Sequence, residues 1–204
     1  MSAIEGSIVC IDDEAVYQQV RMLRSHGMVR ESNNADLRTR YQTDNPDLNP
    51  EFIFAYPAYN MCNTEIGGIM GRSQLKRLDA NIARRTENLH RFLNQLDSTK
   101  YRTDFKLEGS SNYAFNLVLK DPDEALALRL MDKMRENSIE YRRGSAGGGN
   151  QIRQPYLDGL VPEGHYREFP ETEHIHFYCF YIGNFLDLRN EEVDKMCAIL
   201  NAVE

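Results

Sequence analysis

The sequence predicts an α/β chain in two parts. Three observations carry this expectation. Ile8-Val9-Cys10-Ile11 is an uninterrupted apolar run of the kind buried on both faces of a sheet. A long amphipathic helical stretch follows over residues 64–96. Beyond it the pattern reads β-α-β-loop-β-α, the order of a small α+β domain. The boundary is expected inside the long helix, giving parts 1–84 and 85–204.

The elements are justified in order. After the first strand, acidic Asp12, Asp13 and Glu14 open a helix over residues 13–25. Val16, Val20 and Leu23 fall on one face, and Arg24 and His26 precede a stop at Gly27. Residues 28–57, with Asn33-Asn34 and Pro46, Pro50 and Pro57, read as a polar irregular loop. The long helix carries Ile66, Met70, Leu75, Leu78, Ile82, Leu89, Leu93 and Leu96 as its stripe. Its Gly67, Gly68 and Gly71 imply a neighbour packed against bare backbone. Residues 113–119 alternate like a strand. Asp121 and Pro122 signal the cap and first residue of the next helix. Ile139 to Arg142 is a short strand, Gly147-Gly148-Gly149 a loop, Ile175 to Ile182 a strand, and Asn190 the cap of the last helix.

Composition narrows the function classes. Among 204 residues, acidic groups outnumber basic ones for a net charge of −7, which argues against nucleic acid or an anionic membrane as partner. No apolar run reaches the roughly 18 residues of a membrane span, and no signal peptide is visible, so a cytoplasmic address is expected. Cys10, Cys62, Cys179 and Cys197 form no CxxC and read as small buried hydrophobes. His174 and His176, two apart on an expected strand, point to one face, a spacing metals use. No third ligand has a characteristic spacing, so no metal is expected and a metal hydrolase is the weaker rival. The strand at 8–11 has no evident partner within the chain, and an unpaired interior strand leaves its backbone groups unsatisfied. The expectation is therefore that this part completes a sheet whose other strands lie upstream or on another chain.

Several segments, in order along the whole chain, carry a family resemblance. They are Ile4-Glu5-Gly6-Ser7, Arg24-Ser25-His26-Gly27, Tyr59-Asn60, Gly71 with Gln74-Leu75-Lys76-Arg77-Leu78, and Phe180-Tyr181-Ile182-Gly183-Asn184. Together they resemble the C-terminal part of the DegT/DnrJ/EryC1/StrS sugar aminotransferases, a branch of the pyridoxal-phosphate-dependent, aspartate aminotransferase-like fold. Gly147 to Pro155 is more similar to the nucleotide-sugar 3-dehydratases of that family, in which histidine replaces the cofactor lysine. Ser7 departs from the usual glycine, and Met61-Cys62 stands where many relatives place an arginine.

The resemblance implies pyridoxal 5'-phosphate or pyridoxamine 5'-phosphate as cofactor and a nucleotide-linked 4-keto-6-deoxy sugar as substrate. It implies a homodimer, or a complementing N-terminal half, as partner. The lysine or histidine position would fall about two residues before Met1, so no catalytic residue is expected in this chain. Asn60 would reach the cofactor phosphate in the partner subunit's site, and Glu5 would lie near the cofactor. A turn or cap role is the alternative for both. Arg142, Arg143, Asn150 and Arg153 would face the sugar nucleotide, with plain surface arginines as the alternative. A non-catalytic nucleotide-sugar-binding module is the competing function.

Overall fold

The computed structural model describes residues 5–144 and 148–204. Two compact units divide the chain, Met1–Leu78 and Asp79–Glu204. Gly147 and Ile4 lie outside the described residues.

In the first unit, helix α1 spans Glu14–Leu23, and the Asp13 carboxylate caps it by accepting from the Val16 N–H at 2.9 Å. Its inward face is Gln18 and Met22, not the expected Val16, Val20 and Leu23. The reason is polar: Gln18 Oε1 accepts from the Ser32 hydroxyl and the Asn33 N–H, so a fully satisfied amide sits where periodicity looked for an aliphatic chain. His26 and Gly27 end the helix with φ of 58° and 76°. A Cβ on Gly27 would lie 2.0 Å from the Tyr56 carbonyl oxygen, which is why glycine stands there.

Residues 28–57 are not an irregular loop. Helix α2 occupies Ala35–Asp44, capped by Asn34, whose Oδ1 accepts from Leu37 N–H at 3.0 Å. Short 3₁₀ turns lie at Val29–Glu31 and Pro50–Phe52. No residue of α2 is fully buried; Leu37 and Tyr41 only lean on a small cluster of Met22, Val29 and Ile53. A helix without an inward stripe leaves no periodic signal, so only its cap was legible.

The run Ile8-Val9-Cys10-Ile11 forms no strand. Ile8 is 89% exposed and Val9 67% exposed, and no described residue pairs with them. A strand needs a ladder, and no described neighbour offers one.

The long helix is interrupted. Helix α3 spans Glu65–Leu75 and α4 spans Leu78–Gln95, with a turn between them in which Arg77 N–H donates to the Gln74 carbonyl. Only the later part of the expected stripe is buried: Leu89, Leu93 and Leu96, joined by Phe92. Ile66, Ile69, Met70, Leu75 and Ile82 are exposed. Gly67 is buried, but a Cβ on Gly68 or Gly71 would meet nothing within 4 Å. The close neighbour expected at those two glycines is absent among the described residues.

The second unit is built on an antiparallel sheet in the order β1-β3-β2, with β1 at Ala114–Val118, β2 at Tyr141–Arg143 and β3 at Cys179–Gly183. The register pairs Asn116 with Tyr181 and Arg142 with Tyr181 across β3. Alternation then sorts the faces. Phe115, Leu117, Phe180 and Ile182 enter a core with Phe92, Leu130, Met134, Val193 and Leu200. Asn116, Tyr181, Gly183 and Arg142 occupy the opposite face. Phe92 stacks on Phe115 at 4.5 Å, and the buried Tyr101 hydroxyl donates to the Leu200 carbonyl at 2.7 Å.

Three expectations in this unit are corrected. Ile175 to Ile182 is not one strand: helix α6 spans Pro170–Tyr178 and β3 begins at Cys179. Pro170 at the first position and Glu171 and Glu173 in the first turn are the helix signals that outweigh the aromatic run. Helix α5, Glu124–Glu136, is capped by Asp123 rather than Asp121. Helix α7, Asn190–Asn201, follows a cap at Arg189, where the Glu192 carboxylate accepts from the Arg189 N–H at 2.8 Å. Of the cysteines, Cys179 and Cys197 are buried as expected, with burial raising their thiols to about 11 and about 12, whereas Cys10 and Cys62 are exposed.

Candidate functional sites

In the first unit the segment after α2 is drawn against the end of α1. His26 N–H donates to the Tyr59 carbonyl at 2.8 Å, and Met61 N–H donates to the Arg24 carbonyl at 2.7 Å. Between them Ser25 and Asn60 form an isolated antiparallel bridge. Asn60 is thus fixed by its backbone. Its exposed side chain makes no hydrogen bond to a described residue. It is not the cap of α3, whose cap position is Thr64. Next to it lies a cavity of about 420 Å³ lined by Glu5, Gly6, Ser7, Met61, Cys62, Asn63, Thr64 and Gly67. Amide and hydroxyl donors at the start of a helix suit an anionic group, whereas the Glu5 carboxylate on the same lining carries the same sign and opposes one.

In the second unit the glycine-rich segment is anchored to α6. Asn150 is buried: its N–H donates to His176 Nδ1 at 3.1 Å, its amide donates to Glu173 Oε1 at 2.8 Å, and its Oδ1 accepts from Ile152 N–H. Arg153 forms a bidentate pair with Glu173 and stacks over Tyr166 at 3.8 Å. Arg153 and Asn150 therefore hold the Glu173 carboxyl below its usual range, with Arg153 the larger cause. Burial, then the Arg153 charge, lowers the His176 imidazole. A Cβ on Gly149 would lie 2.4 Å from His176 Nδ1, so the chain passes against the ring at that point.

Arg142 and Arg143 leave the sheet on opposite faces. Arg143 lies over Phe177 at 5.6 Å, and Arg142 lies over Tyr181 at 5.9 Å. The structure thus brings Asn150 and Arg153 together on α6, with Arg143 alongside through Phe177, and leaves Arg142 apart from them. Arg142 belongs instead to a cleft of about 260 Å³ lined by Tyr113, Glu140, Tyr141, Arg142, Tyr181, Gly183 and Phe185. The sequence reading missed this cleft. Its residues come from three separate segments, Tyr113, Glu140 to Arg142, and Tyr181 to Phe185, so no local pattern in the sequence marks it.

His174 and His176 sit on a helix, not a strand, so two residues of separation turn them to different sides. His174 Nε2 meets the Leu119 carbonyl at 2.6 Å, while His176 faces Asn150. Among the described residues no group of three or more His, Cys, Asp or Glu could hold a metal ion.

GDP-4-keto-6-deoxy-D-mannose 3-dehydratase from Escherichia coli O55:H7 is 27% identical over 203 residues, which are 98% of this chain and 51% of the enzyme. The protein of the same name from Yersinia pseudotuberculosis is 27% identical, matching 98% of this chain and 50% of its own length. The chain thus spans about half the length of the curated relatives it matches. A solved structure of the E. coli dehydratase with bound hydrated pyridoxal phosphate superposes with a TM-score of 0.71 at 22% identity. It covers 93% of this chain and 48% of that one, which shows a shared fold. The sequence profile of the DegT/DnrJ/EryC1/StrS aminotransferase family matches residues 1–201, and the chain belongs to that family.

Proposed function

We propose that this chain supplies the C-terminal part of an enzyme that transforms a nucleotide-linked 4-keto-6-deoxy sugar, by 3-dehydration or amination. The observation that carries this reading is the match of nearly the whole chain to the two dehydratases at 27% identity. The setting would be cytoplasmic synthesis of deoxysugars for polysaccharide or lipopolysaccharide. The working assembly would be a homodimer or a pair with a complementing N-terminal half. No described helix is long and apolar enough to cross a membrane.

The cofactor of this reading is pyridoxal 5'-phosphate or pyridoxamine 5'-phosphate, which when bound supplies an electron sink for bond changes on the sugar. The residues present fit part of that role. The free amide of Asn60, held by the Ser25 bridge, suits a phosphate oxygen of a neighbouring subunit's cofactor. Glu5 borders the adjacent cavity. A covalent anchor does not fit: the first unit has one lysine, Lys76, at the far end of α3 from that cavity. Arg142, Arg143 and Arg153 would draw and orient the anionic substrate. Arg153 would do so through the loop it ties to Glu173.

Absorbance spectroscopy tests the reading. The purified chain mixed with pyridoxal phosphate should show no stoichiometric, borohydride-reducible band. Co-expression with the N-terminal half of a sugar aminotransferase of the family, which carries the cofactor lysine, should restore one. A reducible stoichiometric band from the chain alone would overturn the assignment.

A further inference from the structure

The His176 ring is held by a bond that only its neutral form can make. A backbone N–H is a donor and nothing else, so the Nδ1 that takes the Asn150 N–H at 3.1 Å carries no proton. The ring is thereby fixed as the Nε2–H tautomer. Asn150 is 1% exposed, and that N–H has no other partner among the described residues. The segment also lies tight on the ring one residue earlier, where glycine alone leaves room beside Nδ1. A proton on Nδ1 would set two donors face to face in a buried spot, which costs more than the lost bond alone.

Charges face the ring from three elements. Arg153, from the turn Gln151–Arg153, and Arg143, from β2, both oppose a proton on it. Glu173, three residues earlier on α6, favours one, but its carboxylate is already bound by Arg153 and the Asn150 amide. Burial is the largest influence and lowers the imidazole from its ordinary 6.5. The Gly148 backbone favours the charged ring, so the same segment offers an acceptor in place of the donor.

We propose that His176 is a latch for residues 148–153: neutral, it accepts the Asn150 N–H and closes the segment onto α6; protonated, it releases that amide and turns to the Gly148 carbonyl. The latch controls placement. Asn150 Oδ1 accepts from the Ile152 N–H and so caps the turn that Arg153 ends. Freeing Asn150 therefore loosens the seat of Arg153, the guanidinium that the proposed function gives to an anionic substrate. His176 is in this sense a positioning residue. The closed form prefers the neutral ring, so it is complete above the ordinary 6.5 and is lost as pH falls below it. The latch is a property of this segment alone, and it stands or falls apart from the nucleotide-sugar reading.

Nitrogen spectra of the histidine rings, joined to amide hydrogen exchange from neutral into mildly acidic solution, test this on the purified chain. At neutral pH His176 should show the Nε2–H tautomer. On acidification its ring and the amides of Gly149, Asn150 and Ile152 should share one midpoint below 6.5. Below it Asn150 should exchange about tenfold faster relative to its intrinsic rate, the loss of one buried hydrogen bond. Titration of His174, whose Nε2 meets the Leu119 carbonyl, should move none of these amides. His176→Phe should leave Asn150 in fast exchange at every pH. His176→Asn, whose amide oxygen replaces Nδ1 as an acceptor that does not titrate, should restore slow exchange with no step. The Phe180 amide on β3 reports that each variant is folded, and if His176→Phe is not, His176→Asn alone decides. An Nδ1–H tautomer at neutral pH would overturn the latch. A step that persists in His176→Asn would belong to another group and overturn it as well. So would a ring that stays neutral down to the pH at which Phe180 loses protection.

Discussion

Glu173 is the residue on which the second unit's candidate site turns. It receives the Asn150 amide and both arms of Arg153, and those partners hold its carboxyl below the ordinary range. A carboxyl depressed in the folded state contributes stability that is present above its unfolded pKa and lost as pH falls through the folded value. Glu173→Gln should therefore lower stability at neutral pH by about 1 kcal/mol, read from the urea midpoint. It should also sharpen the side-chain signals of Arg153 more than those of Tyr166, since the guanidinium alone loses its anchor. Asp194 offers a cleaner acid test. Arg91, then Gln95, lowers it from 3.8 to about 2. Its contribution is complete above about pH 4 and disappears between there and pH 2. Asp194→Asn should flatten that part of the acid-unfolding curve, and a curve unchanged below pH 4 would show that the pair is not formed in solution.

At the scale of elements, legibility followed the source of each signal. Strand β1 was readable because its alternation reflects a real core face, Phe115 and Leu117, opposite polar Asn116. Helix α2 was not, because nothing in it is fully buried and only Asn34 marks its start. The aromatic run from Ile175 onward misled because β-favouring residues were outvoted by a proline and two acids at the helix start. The resemblance singled out Arg153 and Asn150 but gave no hint of the residue they bind, Glu173, 20 or more residues away on α6. The joint between α1 and the Asn60 segment is a further element-scale device, and Gly27 is its pin. Gly27→Ala combines a positive φ with a collision at the Tyr56 carbonyl. It should destabilise the first unit by roughly 1–2 kcal/mol. The amide of His26, bonded to Tyr59, should exchange faster in that variant while Phe115 and Phe180 stay unchanged.

The two units differ in how much core each holds, and this sets an expectation for the whole molecule. The second unit buries a contiguous cluster that includes Phe92, Phe115, Leu117, Leu130, Met134, Phe180 and Leu200. The described core of the first is Met22, Val29 and Ile53, with Leu37, Tyr41, Ala55 and Tyr56 packed against it. Meanwhile Ile8, Val9, Ile66 and Ile69 are left to solvent. A few buried side chains at roughly 1.5–3 kcal/mol each cannot offset the ordering cost of some seventy residues by the margin the second unit has. Unfolding should therefore proceed in two stages rather than one. Amide hydrogen exchange measures this directly. The ladder amides of Leu117 and Phe180 should be protected to the limit of global unfolding. Those of Val29, bonded to the Ile53 carbonyl, and of Ala55, bonded to Gly27, should exchange through a lower-energy opening. Adding the N-terminal half of the E. coli dehydratase should slow the first-unit amides and leave the second-unit ones alone. Equal protection of Val29 and Phe180 in the isolated chain would mean that the small cluster suffices, and that the exposed apolar residues of α3 need no cover.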